Sequence, residues 1–467
     1  MTGNSWNTCT AARWRDGLDN DSHMASSALT LKARVFKSGS WTLAGYGYAQ
    51  VLRFVSNLIL TRLLFPQAFG LMMIVQSISI GVTMITDLGA SQSIIRSERG
   101  DEPAFVNTAW TVQIVQGLIV FLLLTVTAPL AVAWFKQPEI LFLLPLVGLN
   151  GFIASFKTTN AALADRRLDA KRVTMLEAGS ATFGTAATIA YSWVYPSPYA
   201  LIWGTMSGTL FSVLLGHRLL PGLRNRFAWE KDAVRGIFSF GYKLAISSTV
   251  TFLTGEGSRL LSASLVSSAL LGMIGLSANL ALIVWQLIQK LSGRIFFPAY
   301  SEVLRERPHD LPRVVLKSRM MQVAPVWAMS LVYVIIGPWL ISKLYDHRYA
   351  AVGQILRIHA TGMMITILNG SYTGVLWAMG KVNLSTRLMA FQTALQWACL
   401  YVGHHFGGNL GMIVGSSAAG WINYALTSPI YARLGVWFAR FDLPVVAVSV
   451  LIAIYGYFNF SFDLIGR

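Results

Sequence analysis

Four cations, Arg53, Lys157, Lys243 and Arg357, fall inside stretches otherwise made of apolar and small residues. An ionised side chain within a helix crossing hydrocarbon costs at least about 2.5 to 3.5 kcal/mol, so it faces a cavity or a partner. Counted from Gly39 at the rise of an α-helix, Arg53 lies roughly 20 Å into its segment, beyond a bilayer midplane and too deep to snorkel back. Lys157, Lys243 and Arg357 sit nearer the ends of theirs. The acids are fewer. Asp87 and Glu177 stand close to segment ends, where pairing with loop cations or a helix start explains them. Glu256 is expected at nearly the depth of Arg53 in a second half of the chain, and an Arg53–Glu256 gate is the pairing that follows, with Arg259 beside it. Cations in excess over acids suit an anionic substrate, because guanidinium and ammonium groups make charge-assisted hydrogen bonds to phosphate or carboxylate. Arg53, Lys243 and Arg357, with Lys157 behind them, are therefore the expected substrate contacts.

Other chemistries find no support. The sequence has no G-x-x-x-x-G-K-[ST] phosphate loop, no His/Cys metal spacing and no acidic cluster for metal-dependent glycosyl transfer. His404 and His405 form no metal set, and Cys9 and Cys399 imply no disulfide framework. No catalytic residue, cofactor or metal is expected, and any work done must draw on an ion gradient, on the substrate gradient or on consumption of product.

The elements that must position these residues are transmembrane helices. Of 467 residues 54% are hydrophobic and 12% charged, about half the charge of a soluble domain. Thr111 to Phe135 holds no Asp, Glu, Lys or Arg, and Ala178 to His217 and Leu388 to Ala432 are longer runs of the same kind. About 20 apolar residues suffice to span hydrocarbon. The two longer runs are interrupted by Tyr195-Pro-Ser-Pro-Tyr199 and His405-Phe-Gly-Gly-Asn409, so each reads as a helical hairpin. The expected spans are 38–61, 69–89, 111–135, 140–163, 173–194, 199–216, 237–255, 269–291, 322–341, 351–377, 388–403, 411–430 and 443–460. With the amino terminus inside, 27 of the 37 Lys and Arg residues lie in inner segments and 6 in outer ones. That asymmetry fixes the orientation and explains the net charge of +17 without nucleic acid.

The chain also resembles itself. Gly39 and Gly70 recur 202 residues later as Gly241 and Gly272; Gly148, Thr159, Ala164 and Met175 recur 214 residues on as Gly362, Thr373, Ala378 and Met389; and Pro129 pairs with Pro338. The expected fold class is thus an all-α integral membrane protein of 12 to 14 helices in two pseudo-symmetric six-helix lobes. Its parts are a disordered cytoplasmic tail (1–36, with Met24 an alternative start), an N-lobe (37–219), a basic cytoplasmic linker (220–236), a C-lobe (237–434) and an extra transmembrane helix (435–467). Such repeats build a site near the bilayer midplane that alternating access exposes to either side.

Two blocks, Ser56 to Val75 (SNLILTRLLFPQAFGLMMIV) and Asp87 to Thr111, resemble the amino-terminal signature of bacterial oligosaccharide flippases. These are Wzx-type polysaccharide exporters of the multidrug/oligosaccharidyl-lipid/polysaccharide superfamily. Leu219 to Glu230 and Arg294 to Glu306 extend the likeness over most of the chain. The resemblance implies a multi-pass transporter of the bacterial inner (plasma) membrane that moves an undecaprenyl-pyrophosphate-linked oligosaccharide to the periplasmic leaflet for surface polysaccharide assembly. It also implies polysaccharide polymerase and assembly proteins as partners. Arg62 and Gly70 fall in the family's R-L-L-x-P-x-x-F-G pattern, where a structural role at the first turn is expected. Where the family often carries an acid just before an arginine, this chain has Gly257-Ser258-Arg259, and Glu256 is the available substitute. A cation-coupled multidrug exporter is the nearest alternative, disfavoured because the first span has no acid. A polysaccharide polymerase is disfavoured by short outer loops.

Overall fold

The computed structural model describes residues 38–167, 169–292 and 296–459. The amino-terminal tail and its Met24 lie outside them. No strand occurs among the described residues. The first helix, α1, covers 38–63. It is followed by α2 (Pro66–Thr86), short α3 (Ala90–Arg96), α4 (Pro103–Phe135), α5 (Ile140–Ser155), short α6 (Asn160–Arg166), α7 (Ala170–Val194) and α8 (Pro198–Leu219). The second half runs α9 (Lys231–Leu265), α10 (Ser268–Leu291), α11 (Phe297–Glu306), α12 (Leu311–Leu344), α13 (Ala350–Gly370), short α14 (Thr373–Ala378), α15 (Val382–Arg433) and α16 (Ala439–Phe458).

Helix occupies each of the thirteen expected places. Judged by length and apolarity alone, seven described helices can cross a membrane, or eight if the bent pair α5 and α6 counts as one. The others carry more Gly, Ser, Thr and charge. The surface is that of a membrane protein. Val126, Leu130, Leu214 and Leu451 are each about two-thirds exposed or more, which water would penalise and lipid does not. Trp134, Trp193 and Tyr195 stand exposed at the carboxyl-terminal ends of α4 and α7, where an interfacial aromatic belt belongs.

Three expected boundaries move, each for a local reason. The span expected at 140–163 breaks after Ser155, and α6 turns away by 62°. The freed carbonyl of Ser155 accepts Nε2 of Gln113 at 2.7 Å. The span expected at 351–377 ends at Gly370 with α14 after a turn. The linker expected at 220–236 stops at Glu230, because the next helical turns bury Ala233 and Ile237 against α3, α4 and α6. Polar side chains strap the remaining linker to the first half. Asn160 donates to the Leu220 and Leu223 carbonyls, and the amides of Arg226, Ala228 and Glu230 donate to Asn107, Thr111 and Thr108.

Element order repeats: α2 to α8, with its short helices α3 and α6, is matched by α10 to α15, with α11 and α14. Both expected hairpins form. In α15 the chain reverses at Gly407 and Gly408, the latter at φ 55° and ψ −142°, a conformation glycine adopts freely. The halves meet through α2 against α9 and α10. A Cβ on Gly70 would lie 1.7 Å from the Ser268 carbonyl oxygen, and one on Gly272 would lie 2.2 Å from that of Pro66. Pro66 and Gly70 are repeat-equivalent to Ser268 and Gly272, so the contact is self-complementary, as in a two-fold interface.

Sequence reading leaves Arg319 in an inner loop; the structure places it inside the second half, fully buried beside Asp442 of α16. Arg319 Nη2 and Asp442 Oδ1 are 2.9 Å apart, and Arg319 Nε donates to Ser371 Oγ at 2.9 Å. Tyr372 and Tyr424 both donate to Asp442 Oδ2, at 2.7 and 2.8 Å. The Tyr372 ring lies 3.9 Å from the guanidinium carbon. This network fastens α16 to the second half. Removing one partner leaves a buried charge uncompensated, which typically costs about 3 to 5 kcal/mol. We expect Arg319→Met to lower the thermal midpoint of the detergent-purified protein sharply, and the double substitution Arg319→Met/Asp442→Leu to recover most of the loss.

Candidate functional site

A cavity of about 290 Å³ opens where α2, α9, α10, α13 and α15 converge. Among the described residues lining it, two are ionisable, Arg259 from α9 and His359 from α13. Ser258, Ser262, Thr366, Gln396 and Ser416 supply neutral polar groups, and Met73 is the contribution of α2. The His359 ring is oriented from behind: Nδ1 lies 3.0 Å from Ser277 Oγ, and that hydroxyl donates to the Ile274 carbonyl at 2.7 Å. With the serine hydrogen so used, Nδ1 carries the imidazole proton and Nε2 is the open nitrogen. Ser258 is held by Trp397, whose indole donates to its hydroxyl at 3.1 Å.

Arg259 is paired. Its Nη1 lies 2.9 and 3.1 Å from the two Glu256 oxygens, one helical turn earlier, and Ser77 of α2 donates to Glu256 Oε2 at 2.6 Å. Glu256 is mostly buried while Arg259 is 41% exposed, so the arginine presents the open side of the pair. The expected Arg53–Glu256 gate is corrected here. Glu256 reaches the arginine on its own helix and a serine across the junction, because i,i+3 residues share a helix face.

The other expected residues are scattered. Arg53 is exposed and has no described partner. It continues a polar stripe on α1, Thr42, Tyr46, Gln50, Arg53 and Asn57, whose Tyr46 hydroxyl donates to Gln286 of α10 at 3.4 Å. That face turns toward the second half. The Lys243 side chain lies outside the described residues. Lys157 is exposed in the break between α5 and α6, at a helix end and not within a span. Arg357 is buried, on a face of α13 turned to α12 and α16: its Nε donates to the Val334 carbonyl at 2.9 Å and its Nη1 to the Asn459 carbonyl at 2.5 Å.

Gly70 and Arg62 belong to the junction. The Arg62 carbonyl accepts Arg348 Nη2 at 2.9 Å, the Leu64 carbonyl accepts the Tyr349 hydroxyl at 2.9 Å, and Arg348 lies 4.6 Å over the Phe65 ring. The turn before α13 thus clasps the turn between α1 and α2. Asp346 holds Arg348 through its Nε at 2.8 Å, and this hydrogen bond keeps the Asp346 carboxyl below the usual carboxylate range. On the opposite end of the molecule, hydrogen bonding to Arg167 lowers Asp101 likewise.

His359, Ser77 and the 346–349 clasp were not singled out from sequence. A lone histidine within an apolar run is a signal that a search restricted to Asp, Glu, Lys and Arg passes over.

The described fold is an all-α, multi-pass bundle of the kind seen in solved transporters. Over 83% of this chain and 95% of the other, it superposes on an inward-facing multidrug resistance MATE family transporter of the MOP superfamily, with a TM-score of 0.64 at 13% identity. A Vibrio cholerae MATE transporter follows at 0.54 and 13%, over 86% and 97%. Residues 59–365 match the family model described as Polysaccharide biosynthesis protein, and the chain belongs to that family. Among relatives, it is 18% identical to the lipopolysaccharide biosynthesis protein WzxC of Escherichia coli, over 91% of this chain and 89% of that one. It is 19% identical to the teichuronic acid biosynthesis protein TuaB of Bacillus subtilis, over 76% and 71%.

Two outcomes follow from the geometry. Exchanging the charges of Glu256 and Arg259 should preserve in part the function that either single reversal abolishes, whereas exchanging Arg53 and Glu256 should rescue nothing; transport or complementation assays read both. The Asp346 carboxyl has a depressed pKa in the folded protein, so the clasp is fully present above the ordinary carboxylate value of about 3.9 and is lost only as pH falls through the lower folded value. Maleimide labelling of buried Leu64→Cys in a cysteine-free background, normalised at each pH to an exposed Lys343→Cys so that thiol ionisation cancels, should therefore be equally slow at pH 8 and pH 5, and faster at both in Asp346→Asn.

Proposed function

We propose that this protein is a flippase that carries an undecaprenyl-pyrophosphate-linked oligosaccharide from the cytoplasmic to the periplasmic leaflet of the bacterial inner membrane, with its amino terminus in the cytoplasm. The observation that supports this reading best is the cavity at the junction of the two halves. Its ionisable lining is a partly open arginine and a histidine with one free nitrogen, with serine, threonine and glutamine around them. Such a lining suits a phosphate-bearing headgroup with sugars attached. The family and the names of its relatives supply the polysaccharide context.

In this reading Arg259 is the phosphate contact and His359 Nε2 accepts a hydrogen bond from a sugar hydroxyl, and Glu256 and Ser277 position them. Arg53, on the polar face of α1, and Lys243, within α9, are further headgroup contacts along the route, and Lys157 is a cytoplasmic-end contact. Transport proceeds by alternating access: the halves part at the outer clasp and the Gly70–Gly272 contact, while the lipid tail stays in the bilayer. No chemical step is involved, since the protein supplies only binding, exclusion of lipid and a change of exposure. Polysaccharide polymerase and assembly proteins are the partners that would take up the product.

The test is translocation of a fluorescent lipid-linked oligosaccharide in proteoliposomes, read by its accessibility to an added periodate or glycosidase. A hydrogen bond to a charged group is worth about 1.5 to 3 kcal/mol, so Arg259→Gln should slow translocation by at least about tenfold; His359→Phe, which removes a neutral acceptor worth about 0.5 to 1.5 kcal/mol, should slow it by a smaller factor. Lys343→Gln, at the exposed outer end of α12, should leave it unchanged. No translocation by the unaltered protein, or equal rates in all three variants, rejects the proposal.

A further inference from the structure

On the side of α13 opposite His359, a second and largely apolar groove of about 300 Å³ runs between α13, the second half of α15 and α16. Leu410, Val414, Ala418 and Ile422 form one wall, Ala453 and Gly456 another, and Arg357 stands in it. It shares Ser417 with the central cavity and no other lining residue.

Arg357 is 7% exposed and has no carboxylate partner among the described residues. Its contacts are neutral oxygens: the carbonyls of Val334 and Asn459 and, at 3.4 Å, Oε1 of Gln354. Nη2 has no partner among the described residues, and it is not among the sealed polar atoms without one. Gly456 lies against the aliphatic stem of the arginine, where a Cβ would make ordinary van der Waals contact with Arg357 Cγ at 3.6 Å. The other buried arginine, Arg319, is answered by an aspartate; Arg357 carries a whole positive charge into an apolar setting with none among the described residues. Such a charge persists where something negative completes it.

We infer that this groove binds an anionic glycerophospholipid, its phosphate on Nη2 of Arg357 and an acyl chain along Val414, Ala418 and Ile422. The vertical placement agrees. By the distribution of basic residues α13 begins at the outer side, and helical side chains lean toward the amino-terminal end. The guanidinium is thus raised toward the outer interface, where it meets Asn459 just past the end of α16. The chain then descends through the outer half of the membrane. A phosphodiester with no neighbouring ammonium complements an unpaired guanidinium, whereas the ammonium of a zwitterionic lipid would offset the attraction. The groove's separation from the central cavity makes the occupant a resident lipid and not the transported one.

The experiment is native mass spectrometry of the full-length protein, delipidated in detergent and offered equimolar phosphatidylglycerol, phosphatidylcholine and a short polyprenyl phosphate. Phosphatidylglycerol should be retained at least about fivefold over phosphatidylcholine, and Arg357→Gln should remove the preference. Should that variant fold poorly, Val414→Trp, which fills the groove and leaves the arginine in place, should likewise lower phosphatidylglycerol retention. Equal retention of the two phospholipids by the unaltered protein, or a preference that survives both substitutions, overturns the assignment. Preferential retention of polyprenyl phosphate overturns it too, and makes the groove part of the carrier's path.

Discussion

An ion cannot sit in a bundle of apolar helices unanswered, and the architecture of this protein is largely the set of answers it gives. Arg319 is met by Asp442, two tyrosine hydroxyls and a ring face, and the result is a fastening for α16. Arg259 is met by Glu256 but keeps an open side toward the cavity, and the result is a place where an anion can be received. Arg357 is met by neutral oxygens alone, which is the least complete answer of the three. In the proposed reading the same chemistry serves structure, transport and lipid contact according to how much of the charge the protein itself neutralises.

Small residues provide the complementary constraint. With no hydrophobic effect to hold helices together in lipid, close backbone approach takes its place. The reciprocal contact of Gly70 and Gly272 brings α2 and α10 together, and Gly204 against Thr188 does the same for α7 and α8. The first of these joins residues that match at the 202-residue offset, so the contact is self-complementary. The outer clasp from Asp346 to Tyr349 sits on the same junction.

Much of this was legible in the sequence. Charge-free runs of 25 to 45 residues admit only membrane helices, and the turn residues inside the two longest runs mark where each folds back. The matching positions were visible because glycines at close helix contacts, such as Gly70, Gly148, Gly272 and Gly362, tolerate few alternatives. The site was less legible. Burial within a membrane helix has no fixed period when both lipid and core are apolar, so direction cannot be read from pattern. Arg357 and His359 are two residues apart yet face different cavities. Arg319 was assigned to a loop because α12 extends eleven residues before its apolar run begins. The Glu256–Arg259 pair was weighed second to Arg53–Glu256, because equal depth in two halves says nothing about lateral distance.

The central claim is that a phosphate-bearing headgroup occupies the cavity between the halves. Photo-crosslinking with a lipid-linked oligosaccharide carrying a diazirine next to its pyrophosphate, followed by peptide mapping, tests it directly. The account expects adducts on α9 near Arg259 and on α13 near His359, suppressed by unlabelled substrate. Adducts confined to lipid-facing surfaces such as Leu130, Leu214 and Leu451, with none in the cavity, would contradict it.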